Sequence, residues 1–246
     1  MMSKSLLCLS VIFGSLFACQ VESASVSHED GPAHYFDLSR MDIPNQFGYF
    51  QHMYARGAFN WAPEIGSFVN MLKNRYNIKA AIETGTLYGH TTIFLASIFD
   101  QVHTVEILPS NYQTSVSYLR GWPNAVCHLG SSEQVLKEIL PGLENQSLLF
   151  YLDAHWQDYW PLLDELEEIS KTHKDNCIIV IDDFKVPGRP DIPYDISGSG
   201  LDECSYDYVK AKLEKIYSDY DYYYVLPKRI DSKAKLVVIP KDWGGL

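Results

Sequence analysis

Short apolar runs alternate with amphipathic stretches from residue 78 to the end of the chain. Ile78–Ile82, Val102–Val105, Ala125–Leu129, Leu148–Leu152 and Ile178–Ile181 are each four or five residues long. Polar or glycine-containing segments bound them, the pattern of buried strands. Between them the apolar spacing is helical, over Thr92–Phe99, Pro109–Leu119 and Gln134–Ile139, and on the stripe Trp160, Leu163, Leu166 and Ile169. Strands alternating with helices predict a parallel sheet with crossover helices. A helix over residues 205–217 follows. Tyr222–Leu226 and Ala234–Ile239, joined through Pro227–Lys233, then predict a closing hairpin. Upstream, Trp61, Ile65, Phe68, Val69 and Leu72 recur at helical spacing behind Pro63. Residues 32–75, rich in aromatics, read as a helical cap on an α/β domain spanning 76–246.

Carboxylates gather where two of these strands end. Leu148–Leu152 runs into Asp153, and Ile178–Ile181 runs into Asp182 and Asp183. In parallel sheets ligands sit beyond the carboxyl ends of the strands. Three carboxylates would meet there, and like charges raise one another's pKa unless a cation lies among them. Oxygen donors suit magnesium, calcium or manganese. Asp153, Asp182 and Asp183 are therefore the expected ligands of one divalent cation, magnesium first.

The first strand leads into Glu83-Thr84-Gly85-Thr86-Leu87-Tyr88-Gly89-His90-Thr91 and then a helix. Glycines there permit a tight turn and close approach of a ligand, and the helix start offers unpaired N–H groups. The next strand ends at Glu106, about twenty residues on, where dinucleotide-type folds hold ribose hydroxyls. Gly130-Ser131-Ser132-Glu133 follows the third strand. Either serine can cap the next helix, and beside a nucleotide pocket either can also touch a base. The Pro/Gly/Asp-rich segment Lys185–Gly200 has the length and composition of a lid or substrate loop.

Composition narrows the partners. A 246-residue chain with 46% hydrophobic residues can bury a full α/β core. A net charge of −11 argues against an electrostatic grip on nucleic acid or an anionic membrane, and leaves a small-molecule partner open. At the N-terminus, Lys4 precedes the uncharged apolar stretch Leu6–Ala18, which fits a secretory signal over residues 1–18 and is short for a membrane span. Leu16-Phe17-Ala18-Cys19 is similar to a bacterial lipoprotein box, which would place a lipid on Cys19. Residues 19–31 read as a polar linker. Export to a periplasm or beyond is the expectation, and cytoplasmic residence follows if the signal is unused. Cys127, Cys177 and Cys204 lack the spacing of a disulfide scaffold or a zinc site.

Taken together, residues 76–246 resemble the class I S-adenosylmethionine-dependent methyltransferases. The resemblance rests on the acid-x-Gly-x-x-x-Gly turn Glu83–Gly89, on Glu106 and on the closing hairpin. It implies a Rossmann-like, seven-stranded, mostly parallel sheet with an antiparallel C-terminal hairpin. It also implies that S-adenosylmethionine lies among Glu83, Gly85, Thr86, Tyr88, Gly89, Thr91, Glu106, Ser131, Ser132 and Asp153. Tyr151-Leu152-Asp153-Ala154-His155-Trp156-Gln157-Asp158-Tyr159 and Ile181-Asp182-Asp183-Phe184 resemble the metal-dependent O-methyltransferases of the macrocin and cephalosporin-biosynthesis type, and more distantly the catechol type. Gln157 stands where the catechol type has a lysine base, which leaves His155, with Asp153, as the candidate catalytic residues. The acceptor would be a small sugar, diol or phenol, with no nucleic acid partner and membrane contact only through the signal or a lipid on Cys19. S-Adenosylmethionine is made in the cytosol, so an exported, non-catalytic binding protein on the same scaffold is the competing expectation. If the signal reading holds, intact-mass analysis of the protein from its native host finds residues 1–18 removed. A mature chain that still begins at Met1 in the cytosol would overturn it.

Overall fold

Unbroken apolar runs commit both faces of the central strands to burial, and the sheet forms around them. The computed structural model describes residues 22–28, 31–41, 45–155, 159–198, 200–229 and 232–246. In chain order its elements are β1 (Glu22–His28), β2 (Gly31–Asp37), α1 (Asn45–Met53), α2 (Pro63–Arg75), β3 (Ala80–Thr84), α3 (His90–Ile98), β4 (Gln101–Glu106) and α4 (Pro109–Tyr118). They continue with β5 (Ala125–Leu129), α5 (Ser132–Ile139), β6 (Leu148–Leu152), α6 (Leu162–Thr172), β7 (Cys177–Phe184), α7 (Tyr206–Ile216), β8 (Tyr220–Leu226) and β9 (Ala234–Pro240). The nine strands among the described residues form one sheet in the order β1-β2-β8-β9-β7-β6-β3-β4-β5. Strands β3 to β7 are mutually parallel. β9 runs antiparallel between β7 and β8. The run from β5 to β8 is the expected seven-stranded arrangement.

The N-terminal segment departs from its sequence reading. Residues expected to form a polar linker and the start of a helical cap instead form β1 and β2. β2 pairs parallel with β8, matching Tyr35 to Tyr224 and Phe36 to Val225, and β1 pairs antiparallel with β2. The polar composition of Glu22–His28 masked the strand, because an edge strand is held by backbone hydrogen bonds and needs no apolar alternation. Helices α1 and α2 follow, with Pro63 opening α2. The proposed signal over residues 1–18 and Cys19 lie outside the described residues. No helix among the described residues is long and apolar enough to cross a membrane.

Side chains divide by parity between two cores. Ile82, Phe150, Leu152, Ile179 and Ile181 face one side with Leu166, Ile169 and Leu213 of α6 and α7. Ala81, Leu149, Tyr151, Ile178 and Val180 face the other with Phe68, Leu72 and Phe94 of α2 and α3. β2 joins both, since Phe36 packs on Phe68 and Tyr35 on Tyr224. Gly66 lets α2 approach α3, because a Cβ there would lie 2.5 Å from Cζ of the fully buried Phe94. Alanine would favour the helix by about 1 kcal/mol, whereas forcing a methyl into a filled core costs about 1–3 kcal/mol. Gly66→Ala is therefore expected to lower the urea midpoint at unchanged slope. A higher midpoint would show that the Phe94 ring yields freely.

Candidate functional site

The carboxyl ends of β3, β4, β6 and β7 meet at a cavity of about 380 Å³. Gly85, Glu106, Ser132, Asp153, His155, Asp183 and Lys233 line it. Gly85 sits at φ +87°, and a Cβ there would fall 2.6 Å from the Asp153 carbonyl oxygen. Only glycine lets the turn after β3 pass this close to the end of β6. The Gly85 and Thr86 N–H groups donate to the Val105 carbonyl, and the Asp153 N–H donates to the Thr84 carbonyl. Three strand ends are thereby tied together.

Glu106 braces the loops on both sides of it. Its Oε2 accepts from the Leu87 N–H at 2.7 Å and its Oε1 from the Leu108 N–H at 2.8 Å. Each carboxylate oxygen keeps further acceptor capacity for the cavity. Glu83, by contrast, lies behind the turn. It is buried and accepts from the hydroxyls of Thr92 and Thr104. Burial pushes its pKa up to about 7 against the lowering effect of those two bonds. Thr86 shares a hydrogen bond with Thr104, and the Thr91 hydroxyl accepts from the Phe59 N–H. Gly89, at φ +81°, caps α3. Tyr88 is exposed, its ring 6.4 Å from that of His90. Ser131 occupies the N-cap of α5, but its hydroxyl makes no cap bond. Of the ten residues expected around a cofactor, Gly85, Glu106, Ser132 and Asp153 line the cavity. The structure puts Glu83, Thr86, Thr91 and Gly89 in the supports beneath it.

The acidic cluster is built on a break in β7. Register with β9 shifts between Ile181 and Phe184, and Asp183 takes a left-handed φ of +57°. Such bulges re-aim side chains beside active sites. Asp182 and Asp183, expected beyond the strand, lie within it. Asp182 is buried and fully engaged. Lys235 Nζ and the Asp183 N–H donate to its Oδ1, and the Tyr151 hydroxyl donates to its Oδ2 at 2.5 Å. Burial is the largest single influence and works against its charge, but the Lys235 ammonium and the hydrogen bonds from Asp183, Lys235 and Tyr151 together outweigh it and hold its pKa below the ordinary carboxylate range. Asp183 accepts from Lys233 Nζ at 2.6 Å through Oδ2, while its buried Oδ1 has no partner within the protein. Burial, then the neighbouring Asp182 charge, pushes its pKa up to about 7. The same two causes, with Asp183 added, hold Asp153 well above its ordinary value.

The group whose donor atoms converge is Asp153, Asp183 and His155, all within 4.8 Å of one another. Asp182, expected as a third carboxylate ligand, is turned instead to Lys235 and Tyr151. His155 is exposed, with Nε2 3.5 Å from Asp195 Oδ2. Lys233 bridges Asp195 and Asp183. The sequence reading missed Lys233, Lys235 and Asp195. Lys233 falls in the connection expected between the two closing strands and Lys235 in the last of them, where no local pattern marks either as a site residue, and Asp195 falls in the Lys185–Gly200 segment, which has no periodicity. Residues 156–158, which include Gln157, lie outside the described residues.

Solved structures share this fold. An O-methyltransferase from Bacillus cereus in complex with S-adenosylhomocysteine superposes at TM-score 0.56 and 15% identity, over 82% of this chain and 93% of that one. TomG, an O-methyltransferase of tomaymycin synthesis from Streptomyces achromogenes in complex with S-adenosylmethionine, gives 0.54 and 16% over 82% and 90%. A Podospora anserina methyltransferase, PaMTH1, bound to S-adenosylhomocysteine, gives 0.53 and 19% over 81% and 89%. The fold is that of the class I methyltransferases. No protein-family model and no curated protein sequence matches the chain.

Glu165 of α6 is wholly buried, and neither of its carboxylate oxygens closes a hydrogen bond within the protein. Burial pushes its pKa from 4.5 up to about 7, only partly offset by the nearby Ser132 and Thr84 hydroxyls. An acid raised in the folded state holds a proton that the unfolded chain has released. Its contribution to stability is therefore full below about 4.5 and is lost as pH rises to about 7. Glu165→Gln is expected to change little at pH 5 and to stabilise the protein at pH 8 by on the order of 1–3 kcal/mol. Urea titrations at the two pH values check this, and an unchanged pH slope would show that Glu165 ionises without cost.

Proposed function

We propose that the protein transfers a methyl group from S-adenosylmethionine to a hydroxyl of a small acceptor, a sugar, diol or phenol. The observation that carries this reading is one cavity lined together by Gly85 and Glu106 and by Asp153, Asp183 and His155. The likeness to structures solved with S-adenosylmethionine or its demethylated product supports it. The residues present fit that cofactor. Glu106 retains acceptor capacity for ribose hydroxyls, Gly85 admits a close ligand, and Ser132 lines the cavity. When bound, S-adenosylmethionine supplies a sulfonium methyl group, whose S–C bond breaks as the acceptor's O–C bond forms, leaving S-adenosylhomocysteine.

The same cluster fits a divalent cation. Asp153 and Asp183 would hold it, the orphaned Asp183 Oδ1 being the free donor, and two carboxylates suit magnesium or manganese. Such an ion lowers the pKa of a bound hydroxyl. His155 takes the acceptor proton at Nε2, the nitrogen that lies 3.5 Å from Asp195 Oδ2. Asp182 anchors the cluster through Lys235 and Tyr151 and leaves Asp183 oriented to the cavity. We also propose export through residues 1–18, which requires the cofactor to be supplied outside the cytosol.

Calorimetry and transfer of labelled methyl to a panel of sugars, diols and phenols test this together. Glu106→Ala is expected to weaken cofactor binding by about 1.5–3 kcal/mol. Asp183→Asn is expected to abolish turnover while sparing cofactor affinity, and His155→Ala to slow turnover by about 10²–10⁴-fold. A wild-type protein that does not bind S-adenosylmethionine would overturn the reading. Full activity after chelation would remove the cation from it.

A further inference from the structure

The sheet ends in two edges of opposite character. At β1 the edge is polar, begins with Glu22, and is bulged against β2 between Ser23 and Ser27. Charge and bulging are the devices that keep an edge strand from pairing with another chain. β5, the other edge, has neither. Ala125-Val126-Cys127-His128-Leu129 contains no charged residue and no proline, and its parallel register with β4 is unbroken. Val126 is 44% exposed and Leu129 49%, so the strand holds two large apolar side chains in water. The imidazoles beside them are neutral. His103 Nδ1 and His128 Nε2 share a hydrogen bond at 2.9 Å, and burial, then the neighbouring His128, pushes the His103 pKa down to about 4. Burial lowers that of His128 as well, against the opposing charge of Glu138 on α5.

The ladder with β4 fixes which backbone groups point off the edge. At one end the Val102 N–H donates to the Asn124 carbonyl, and at the other the Gly130 N–H donates to the Glu106 carbonyl. With the register unshifted between them, the even-numbered residues of β5 bond to β4. Ala125, Cys127 and Leu129 therefore turn their backbone groups outward. The Ala125 N–H is engaged by the Trp122 carbonyl. The N–H groups of Cys127 and Leu129 remain as donors, and the carbonyls of Ala125, Cys127 and Leu129 as acceptors. Among the described residues no turn or loop bonds to them.

We infer that two copies of this chain associate through their β5 edges, antiparallel about a two-fold axis at Cys127, joining the two sheets into one. Under that axis each Cys127 N–H meets the other copy's Cys127 carbonyl, and each Leu129 N–H meets the other copy's Ala125 carbonyl. The Ala125 N–H, already engaged, is not needed, and only the Leu129 carbonyl at the strand end is left to water. Leu129 then lies across from the second copy's Ala125, and Val126 across from its His128, which covers both exposed side chains. The occupant is a second copy because the open groups are self-complementary about Cys127. The contact also closes: both free edges of the joined sheet are the polar, bulged β1, so assembly stops at the dimer. This association stands apart from the methyltransferase reading.

One strand pair is a small interface, so a dissociation constant of about 10 µM to 1 mM is expected. Sedimentation of the full chain across that range, with amide exchange followed by NMR, tests it. The average mass is expected to rise toward that of a dimer. Protection of the Cys127 and Leu129 amides is expected to rise with it, while the Val126 and His128 amides, bonded to β4, stay protected throughout. Val126→Lys puts a charge on the edge and is expected to weaken association about tenfold or more. Leu129→Pro removes an outward donor that β4 does not use and is expected to act the same way. Circular dichroism and urea midpoints show whether each variant folds, and Val126→Lys, altered only at an exposed side chain, decides if Leu129→Pro does not. A chain still monomeric at about 1 mM would overturn the proposal. So would a dimer whose Cys127 and Leu129 amides exchange alike at all concentrations, or a folded Val126→Lys that associates as the wild type does.

Discussion

A buried ammonium governs the carboxyl end of this sheet. Lys235 sits almost without exposure on β9, and its Nζ meets Asp182 on the neighbouring β7. Neither charge could stay buried alone, because an uncompensated buried ion costs several kcal/mol. The pair is closed further by the Tyr151 hydroxyl and by the Asp183 N–H. That last bond belongs to the bulge that interrupts β7. The ion pair, the bulge and the left-handed Asp183 are thus one local structure, and everything at the rim depends on where it points Asp183.

The arrangement divides labour among the three carboxylates. Asp182, matched by Lys235, stays ionised and structural. Asp153 and Asp183 carry raised pKa values because burial and Asp182 oppose their charge. They are the members that gain most from a further positive charge, whether a metal ion or a cationic ligand beside them. Lys233 already supplies part of that charge to Asp183 and relays it to Asp195, next to His155. A hydrogen-bonded and ionic chain therefore runs from the strand bulge to the exposed imidazole.

How much of this the sequence discloses depends on distance along the chain. The strand-turn-helix at Gly85, the acid at Glu106 and the strand-end aspartates are local patterns, and each falls at the sheet edge that its pattern implies. The edge strand β1 and its neighbour β2 carry too little alternation to be read. Lys233 and Lys235 reach their partners across 50 and 53 residues. Nothing in a Lys-Ala-Lys pattern tells an inward lysine from an outward one until the hairpin register is fixed, because a one-residue slip exchanges the faces. The bulge is equally silent, since Asp-Asp at a strand end reads as the start of a loop. Three carboxylates in sequence suggested a metal, and the structure answers part of that charge with lysines.

The α2 and α3 side of the sheet reaches the same cluster through Phe59. Phe59 lies edge-on to Phe94, on the helix behind the Gly85–Gly89 turn, and to Tyr151, the tyrosine that holds Asp182. One aromatic ring therefore touches the support of the cofactor turn and the support of the acidic cluster. Phe59, Asn60 and Trp61 follow one another at φ 51°, 54° and 66°. Holding three successive side-chain-bearing residues left-handed costs about 1–2 kcal/mol each. Burial of the Phe59 ring returns about 1.5–3 kcal/mol, and its two edge-on contacts about 0.5–1.5 kcal/mol each. Those gains exist only while the turn and the cluster keep their present separation. The strained segment is thus a gauge of that separation, and Asn60, carried on it, is set against the cavity by the same contacts.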